Sequence, residues 1–329
     1  MRPARHKEQI SATVRGGWLR LRVPAGVRGW GMGARDSEVV HGYPHLETVR
    51  AAITALYRRL SPEGVLSYAP SVLPADVAFG DGEDPHLGAQ SVARSLVRHL
   101  RLPDARMIVS FREMDHAASV ELTAGPEYFI ELNDRFRVHR RDIGAALAHE
   151  ITHVLLHRLD LSFPGTRDNE ILTDTVTAYL GAGWLLLDAF REDRLTSQKL
   201  GYLTPEEFGY VLAGRALAFG EDPSPWFTSP QAYTAYTKGR ALALREARRP
   251  PLTTAGWAGR HRYARDVRRA AERGATVVSE DGGYAVEPGP DGPRVSFACP
   301  TCHQRIRVPA RGRVRARCGL CRTILECGD

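Results

Sequence analysis

A pair of histidines four positions apart falls inside a helical pattern in the middle of the chain. From Arg141 to Arg158, apolar residues recur at helical spacing and predict one buried stripe. The stripe consists of Ile143, Leu147, Ile151, Val154 and Leu155. His149 and His153 project away from it, because each residue turns a helix by about 100 degrees. One side of this helix can therefore pack into a core while another side presents both imidazoles.

The segment from His149 to His153 reads His-Glu-Ile-Thr-His, the HExxH pattern. On a helix, histidines at positions i and i+4 can bind one Zn²⁺ through two ring nitrogens. A zinc-bound water loses its proton near neutral pH, and a neighbouring carboxylate can accept that proton as the water attacks a carbonyl carbon. The pattern predicts His149 and His153 as ligands and Glu150 as general base. The alternative is a chance coincidence on an exposed amphipathic helix.

A second acidic helix is predicted after a Pro-Gly turn. Asn169 to Asp174 reads Asn-Glu-Ile-Leu-Thr-Asp, and catalytic zinc sites commonly add one glutamate to two histidines and leave a fourth position for water. Glu170 is the predicted third ligand, with Asp168 and Asp174 as rivals. Asp174 shares a helix face with Glu170 and can instead accept a hydrogen bond from a ligating histidine. Without a metal, these would be surface acids at a helix N-terminus.

Together, the two motifs resemble those of the gluzincins, the thermolysin-like metallopeptidases, whose second motif is typically NExxSD; Thr173 stands here where serine is usual. The resemblance covers roughly residues 100 to 190. It implies the following roles: His149, His153 and Glu170 as zinc ligands, Glu150 as general base, and Asp174 as the partner of a ligand. The helices after Asp174 do not match thermolysin, and the compact arrangement is more similar to that of the small intracellular zincins.

All five cysteines lie within the last 31 residues of the chain. Four of them have the spacing C-x2-C-x15-C-x2-C, which is typical of two zinc knuckles: Cys299, Cys302, Cys318 and Cys321. Four thiolates form a closed tetrahedral site, so this zinc is predicted to be structural. His303 could replace a cysteine, but the set is complete without it. Cys327 is left as an unpaired thiol near a frayed end.

The cysteine segment also carries many arginines. Gln304–Val308 and Arg313–Arg317 are predicted to pair as a hairpin, and the whole resembles a zinc ribbon. Seven arginines decorate it: Arg305, Arg307, Arg311, Arg313, Arg315, Arg317 and Arg322. Such a surface can bind phosphates, and a solvated face or a protein-docking surface is the alternative. A second basic helix spans His261 to Arg273, and a solvated face is its default interpretation.

The chain's net charge of +7 and its pI near 9.3 favour acidic partners such as nucleic acid without fixing specificity. Met1 to Val14 lacks the apolar stretch of a secretory signal. The most apolar run, Ala178 to Phe190, is too short and too interrupted to cross a bilayer. These features predict a cytoplasmic protein without a membrane partner.

The predicted fold is α+β. Three strands are expected before the motif helix: Arg106–Arg112, Ser119–Leu122 and Glu127–Leu132. In zincins the strand before that helix forms a sheet edge for an extended peptide, and Glu127–Leu132 is the predicted edge. We expect five units: an N-terminal arm (1–45), a zincin-like core with a small sheet and two ligand helices (46–200), a helical extension (201–278), a linker (279–294) and a four-cysteine zinc ribbon (295–329).

The predicted function is that of a zinc-dependent metallopeptidase acting on a peptide or protein, with one catalytic and one structural zinc. A donor to the developing oxyanion is also expected. The candidates are Tyr179, His157, Tyr210, Arg215, Tyr233 and Tyr236. The alternative is a non-catalytic adaptor that binds nucleic acid or protein through the ribbon and its basic surface. A third interpretation keeps the hydrolase and uses the ribbon to bring it to a substrate on nucleic acid.

Overall fold

The computed structural model describes residues 39–80, 82–122, 127–192 and 197–328. Most of the arm predicted over residues 1–45 lies outside the described residues. The described ranges form a mixed α+β fold with several small sheets, which confirms the predicted class at that level. Among their helices, none combines the length and the apolar character that a membrane span requires.

The helices and strands follow the chain in an order that sets a helical core before a strand-rich C-terminal part. The described α-helices are α1 (Leu46–Leu66), α2 (Pro74–Val77), α3 (Pro85–His99), α4 (Ile143–Arg158), α5 (Thr166–Tyr179), α6 (Gly183–Asp188), α7 (Pro205–Phe219), α8 (Pro230–Ala247) and α9 (Trp257–Arg273). The strands are β1 (Arg106–Arg112), β2 (Ala118–Val120), β3 (Glu127–Asn133), β4 (Arg191–Glu192), β5 (Ser197–Gln198), β6 (Val277–Val278), β7 (Tyr284–Glu287), β8 (Arg294–Ala298), β9 (Arg305–Pro309), β10 (Val314–Arg317) and β11 (Ile324–Cys327).

A three-stranded sheet precedes the motif helix, in the order β1-β3-β2. Strand β3 pairs in parallel with β1, with Arg106 opposite Glu127, and antiparallel with β2, with Ala118 opposite Leu132. The prediction that Glu127–Leu132 forms the sheet edge is therefore wrong, because β3 is bonded on both sides. The edge next to α4 is β2, and α4 packs against it.

Helix α4 carries the histidines and is buried on almost every side. Its small residues, Gly144 and the alanines that follow, let α3, α5 and α6 pack closely around it. Glu150 and His153 are the partly exposed exceptions in its central turns. A helix of this kind belongs to the core of a protein, so the direction in which its histidines point is fixed by the surrounding packing.

A buried carboxylate holds the start of α4. Asp142, 1% exposed, accepts hydrogen bonds from both terminal nitrogens of Arg191, at 3.0 and 2.8 Å, and from Gln198 Nε2 at 2.7 Å. Arg191 and Gln198 lie on the paired strands β4 and β5. The ion pair therefore joins the N-terminus of the motif helix to a segment about 50 residues later in the chain.

Helix α5 begins at Thr166, a few residues before the start predicted near Glu170, and its last nine residues are buried. Burial of its threonines is tolerated because their hydroxyls donate to carbonyls one turn earlier. Thr173 donates to Asn169 O at 2.9 Å, and Thr177 donates to Thr173 O at 2.8 Å. Helix α5 packs between α1, α4 and α7, so Glu170 and Asp174 lie on an element fixed from several sides.

The C-terminal strands differ from the prediction in two ways. Residues 279–294, predicted as a linker, contain β7, which belongs to the sheet β6-β7-β8-β9. The predicted hairpin of Gln304–Val308 with Arg313–Arg317 is wrong, because β9 pairs with β8 and β10 pairs with β11. Each pair of cysteines closes its own hairpin. The strand Tyr284–Glu287 is only four residues long and lies between Gly and Pro residues, which are typical of loops.

We predict that Asp142→Ala lowers the free energy of unfolding by about 2–3 kcal/mol, because Arg191 loses a bidentate charged partner at a buried position. The measurement is the shift in the urea unfolding midpoint at constant slope. Asp134→Ala, which removes an exposed partner of Arg137, is the control and should change stability by less than about 1 kcal/mol. Equal effects of the two substitutions would contradict the structural role of Asp142.

Candidate metal centres

Two histidines and one glutamate converge between α4 and α5. The Nε2 atoms of His149 and His153 are 3.1 Å apart, and Glu170 Oε2 lies 3.1 Å from the first and 3.3 Å from the second. Tetrahedral zinc ligands with bonds of about 2.0–2.1 Å lie roughly 3.3 Å from one another. The structure therefore brings together the three residues predicted as ligands, with spacings that fit one such ion.

The chemistry of these three donors also fits a cation. His149 Nδ1 is 2.8 Å from an oxygen of Asp174 and donates to it, so in the neutral tautomer His149 Nε2 carries a lone pair. That lone pair faces a second imidazole nitrogen, on His153, and the carboxylate of Glu170. Three lone pairs converging in a partly buried site repel one another unless a cation or a shared proton lies among them.

The proton is the competitor of the metal at this site. Burial alone would lower the pKa of His149, but its hydrogen bonds to Asp174 and Glu170 outweigh that and raise the pKa well above its usual value. Burial alone would raise the pKa of Glu170, whereas the hydrogen bonds from His149 and His153 hold it well below its usual value. A metal ion that binds here takes the place of the proton on His149.

Asp174 is fully buried and orients His149. One of its oxygens accepts from His149 Nδ1; the other accepts from the backbone N–H groups of Tyr202 and, at 3.0 Å, of Leu203. A buried carboxylate needs such partners, because an unpaired one is strongly unfavourable. Asp174 is therefore not one of the three grouped ligand residues. It contacts the far nitrogen of His149, as predicted for the partner of a ligand.

The loop that supplies these N–H groups has a conformation that only glycine adopts easily. Gly201 has a φ of +91°, and a Cβ at this position would lie 2.7 Å from Asp174 Oδ2. The Nζ of Lys199 donates to Gly201 O at 2.5 Å and to Leu203 O at 2.9 Å. Burial lowers the pKa of Lys199, and the Asp174 carboxylate opposes that shift. The buried Lys199 side chain therefore holds this loop in contact with the Asp174 carboxylate.

His153 is oriented by α5 as well. Its Nδ1 lies 3.3 Å from Thr173 Oγ1, whose own hydrogen is donated to Asn169 O. The Nδ1–H of His153 is therefore the donor in this pair, which leaves its Nε2 free to face Glu170. The hydroxyl at position 173 is what sets the direction of this ring.

Glu150 directly follows His149 on α4 and is partly buried. Burial raises the pKa of its carboxyl group, and the charges of His149 and His153 counteract part of that effect. The two imidazoles are therefore close enough to act on Glu150, although Glu150 is not among the grouped donor atoms. A carboxylate so placed can take up and release a proton beside the site.

The six predicted oxyanion donors are bonded to other parts of the described chain or exposed. Tyr179 forms hydrogen bonds with Tyr57 and Thr301, and Tyr210 forms one with Glu246. Arg215 donates to the carbonyls of Tyr68 and Ala69, and Tyr236 donates to Asp222. Tyr233 and His157 are exposed. The aromatic residue beside the site is Tyr202. Its ring stacks on His149, with centroids 6.4 Å apart and planes inclined by 24°. No local sequence signal marks Tyr202 except the glycine before it.

The four cysteines of the two knuckles form a second group of potential ligands. The Sγ atoms of Cys299 and Cys321, and those of Cys302 and Cys318, are 3.6 Å apart, and all four lie within 4.8 Å of one another. Thiolates of tetrahedral zinc, with bonds of about 2.3 Å, lie roughly 3.8 Å apart. This donor set fits a metal ion without a position for water.

The two knuckles repeat one backbone pattern. The N–H of His303 donates to Cys299 O at 2.9 Å, and the N–H of Arg322 donates to Cys318 O at 3.0 Å; both donors have positive φ values. Cys327, predicted to lie near a frayed end, is instead buried in β11 opposite Val314. Burial raises the pKa of its thiol to about 11, which disfavours the reactive thiolate near neutral pH.

The cysteine group packs directly against the core. Thr54 Oγ1, on α1, donates to Cys302 O at 2.7 Å, and Tyr179 OH, at the end of α5, donates to Thr301 O at 3.3 Å. The hydroxyl of Tyr57 lies 3.1 Å from that of Tyr179. Helix α5 therefore carries Glu170 near its start and contacts the cysteine knuckle at its end.

Compared with protein-family models, with curated proteins and with solved structures, the chain shows no significant match.

We predict that Asp174→Asn weakens metal binding at the histidine group by about 10- to 100-fold, because the amide cannot hold the His149 ring as firmly as the carboxylate does. Competition with a zinc-binding dye, with the cysteine group already loaded, measures the change. The control is Asp168→Asn on the exposed first turn of α5, which should leave the affinity unchanged. An unaltered affinity in Asp174→Asn would show that this carboxylate does not support the ligand.

Proposed function

We propose that the chain is a zinc-dependent metallopeptidase of the zincin type, with its catalytic zinc on His149, His153 and Glu170. The observation that carries the proposal is the convergence of these three donors beside Glu150, with spacings that suit tetrahedral zinc. Three protein ligands leave one coordination position for water, as hydrolytic zinc sites require. The likeness of the motifs to those of the gluzincins supports the same assignment.

Each residue of the site has a distinct role in this proposal. When bound, zinc would supply a water that ionises near neutral pH and would polarise a carbonyl group. Asp174 and Thr173 hold the two imidazoles with their Nε2 atoms toward the ion. Glu150 accepts a proton beside the site and passes it to the leaving amine.

The proposed substrate is a peptide in extended conformation. Strand β2 lies at the sheet edge and packs against α4, and no other described strand pairs with its outer side. Backbone groups on such an edge can pair with an added strand. A peptide bound there would run past the helix that carries Glu150, so β2 replaces Glu127–Leu132 as the proposed substrate edge.

We further propose that the cysteine group holds a second, structural zinc, giving two per chain. Three of the four thiols are buried and that of Cys321 is partly buried, four thiolates complete a tetrahedral shell, and thiolates are preferred ligands of zinc. Because this group contacts α1 and α5, its metal would stabilise the elements that carry the histidine site.

Metal analysis tests both assignments. We expect about two equivalents of zinc in the native chain, about one in His153→Ala and about one in Cys321→Ser, because each substitution removes a ligand from only one group. Elemental analysis after dialysis gives the count. A single equivalent that is lost only in Cys321→Ser would contradict the catalytic assignment.

Glu150→Gln tests the mechanism. The amide has the size of the carboxylate but cannot accept the proton, so we expect turnover to fall by about 10²- to 10⁴-fold while the zinc content stays at the native value. Cleavage of a quenched fluorescent peptide library measures turnover. Glu113→Gln, on the exposed loop after β1, is the matched control and should retain native activity.

The same variant separates the enzyme from an adaptor. If the zincin-like core were only a scaffold, neither Glu150→Gln nor the native chain would cleave any peptide of the library, and partner binding would be identical in both. Native activity in Glu150→Gln would contradict the proposed role of this residue.

A further inference from the structure

The positive charge of the chain is concentrated at its C-terminal end. From Trp257 onward there are 14 arginines and 8 acidic residues, a net charge of +6 out of the +7 of the whole chain. The preceding 256 residues are therefore almost neutral. A charge so localised creates a positive field on one part of the molecule rather than around all of it.

Helix α9 is held firmly by one side. Tyr263 packs edge-on against Tyr284, with ring centroids 5.3 Å apart, and its hydroxyl donates to Ala310 O at 3.4 Å. Asp266 is buried and accepts from Tyr284 OH at 2.9 Å. The acidic residue nearest the middle of the helix is thus turned toward the sheet and away from solvent.

The opposite side of α9 presents aromatic rings and arginines to solvent. Trp257 is 76% exposed and stacks on His261, with ring planes inclined by 15° and centroids 5.6 Å apart. Positions 257, 261, 265 and 268 follow one face at helical spacing. We call this face the outer face of α9; it consists of Trp257, His261, Arg265 and Arg268. A tryptophan this exposed needs an explanation, since most large aromatic rings are at least partly buried.

Most arginines of α9 have no acidic partner in the described part of the chain. Arg265 lies 3.6 Å from Asp266, whereas Arg260, Arg262, Arg268, Arg269 and Arg273 form no ion pair with a described carboxylate. On the outer face, Arg268 forms no ion pair with a described carboxylate and Arg265 is exposed beside Asp266, so both guanidinium groups are accessible to an external anion.

We infer that the outer face of α9 binds single-stranded nucleic acid, with Trp257 stacking on a base and Arg265 and Arg268 contacting backbone phosphates. Exposed aromatic rings interleaved with cations are the combination that recognises an unpaired strand, because every base has a π-face and every linkage a charge. From Trp257 to Arg268 the face is about 16 Å long, which is enough to contact a few consecutive nucleotides. This inference does not depend on the proposed peptidase activity.

Fluorescence anisotropy with a labelled 12-nucleotide single-stranded DNA of mixed sequence, and with RNA of the same sequence, tests the inference on the full chain. With the two phosphate contacts of Arg265 and Arg268, the affinity for at least one of these strands should fall about sevenfold between 50 and 200 mM salt. Binding should also quench the emission of Trp257, as judged by comparison with Trp257→Phe.

Two variants separate charge from stacking. We expect Arg265→Glu/Arg268→Glu to lower the affinity at least about tenfold and to reduce the salt slope by about 1.4. Trp257→Ala should lower the affinity at least about fivefold with an unchanged salt slope. Arg94→Glu/Arg98→Glu changes the net charge equally on exposed positions of α3 and should bind like the native chain. Circular dichroism of each variant verifies the fold.

Three results would overturn the inference. The first is native affinity in the Arg265/Arg268 variant or an equal loss in the α3 control, because the surface would then be wrong. The second is tighter binding of the corresponding duplex with no effect of Trp257→Ala, since that would exclude stacking. The third is competition by polyglutamate as effective as that by the unlabelled strand, which would identify an acidic protein as the partner.

Discussion

The hydrogen bonds of the buried Asp174 carboxylate hold the histidine site together. This fully buried group must be satisfied by several donors, and it finds them on two other segments: His149 on α4 and the backbone N–H groups of Tyr202 and Leu203. The contacts fix the motif helix, the second helix and the loop before α7 with respect to one another. Because Asp174 lies one turn from Glu170 on α5, the same contacts place Glu170 beside both imidazoles.

Helix α5 links the two potential metal centres. It carries Glu170 near its start, and Tyr179 at its end bonds to Thr301 between two of the knuckle cysteines. The cysteine group is therefore part of the support of the histidine site rather than an appended module. The hydrogen bond between Tyr179 and Thr301 therefore supports the ligand helix at the end opposite to Glu170.

The sequence was informative where the chemistry is local. HExxH and C-x2-C are patterns of neighbouring residues, and Glu170 and Asp174 lie on a single helix, so their spacing was enough to predict the groups that the structure brings together. The failures concern partners distant in sequence. Strand β3 pairs on both sides, Tyr284–Glu287 joins a sheet and β9 pairs with β8; Tyr202 reaches His149 through a loop. The spacing of hydrophobic residues predicts which face of a strand is buried. It does not identify the strand or the aromatic ring that packs next to that strand.

We propose that His149, His153 and Glu170 bind one zinc ion. A crystal of the zinc-loaded chain, with diffraction data collected on both sides of the zinc absorption edge, tests it most directly. We expect an anomalous peak about 2.0–2.2 Å from both Nε2 atoms and from an oxygen of Glu170, with water as the fourth ligand. A peak among the four Sγ atoms alone, with Glu170 directed away from the imidazoles, would contradict the account.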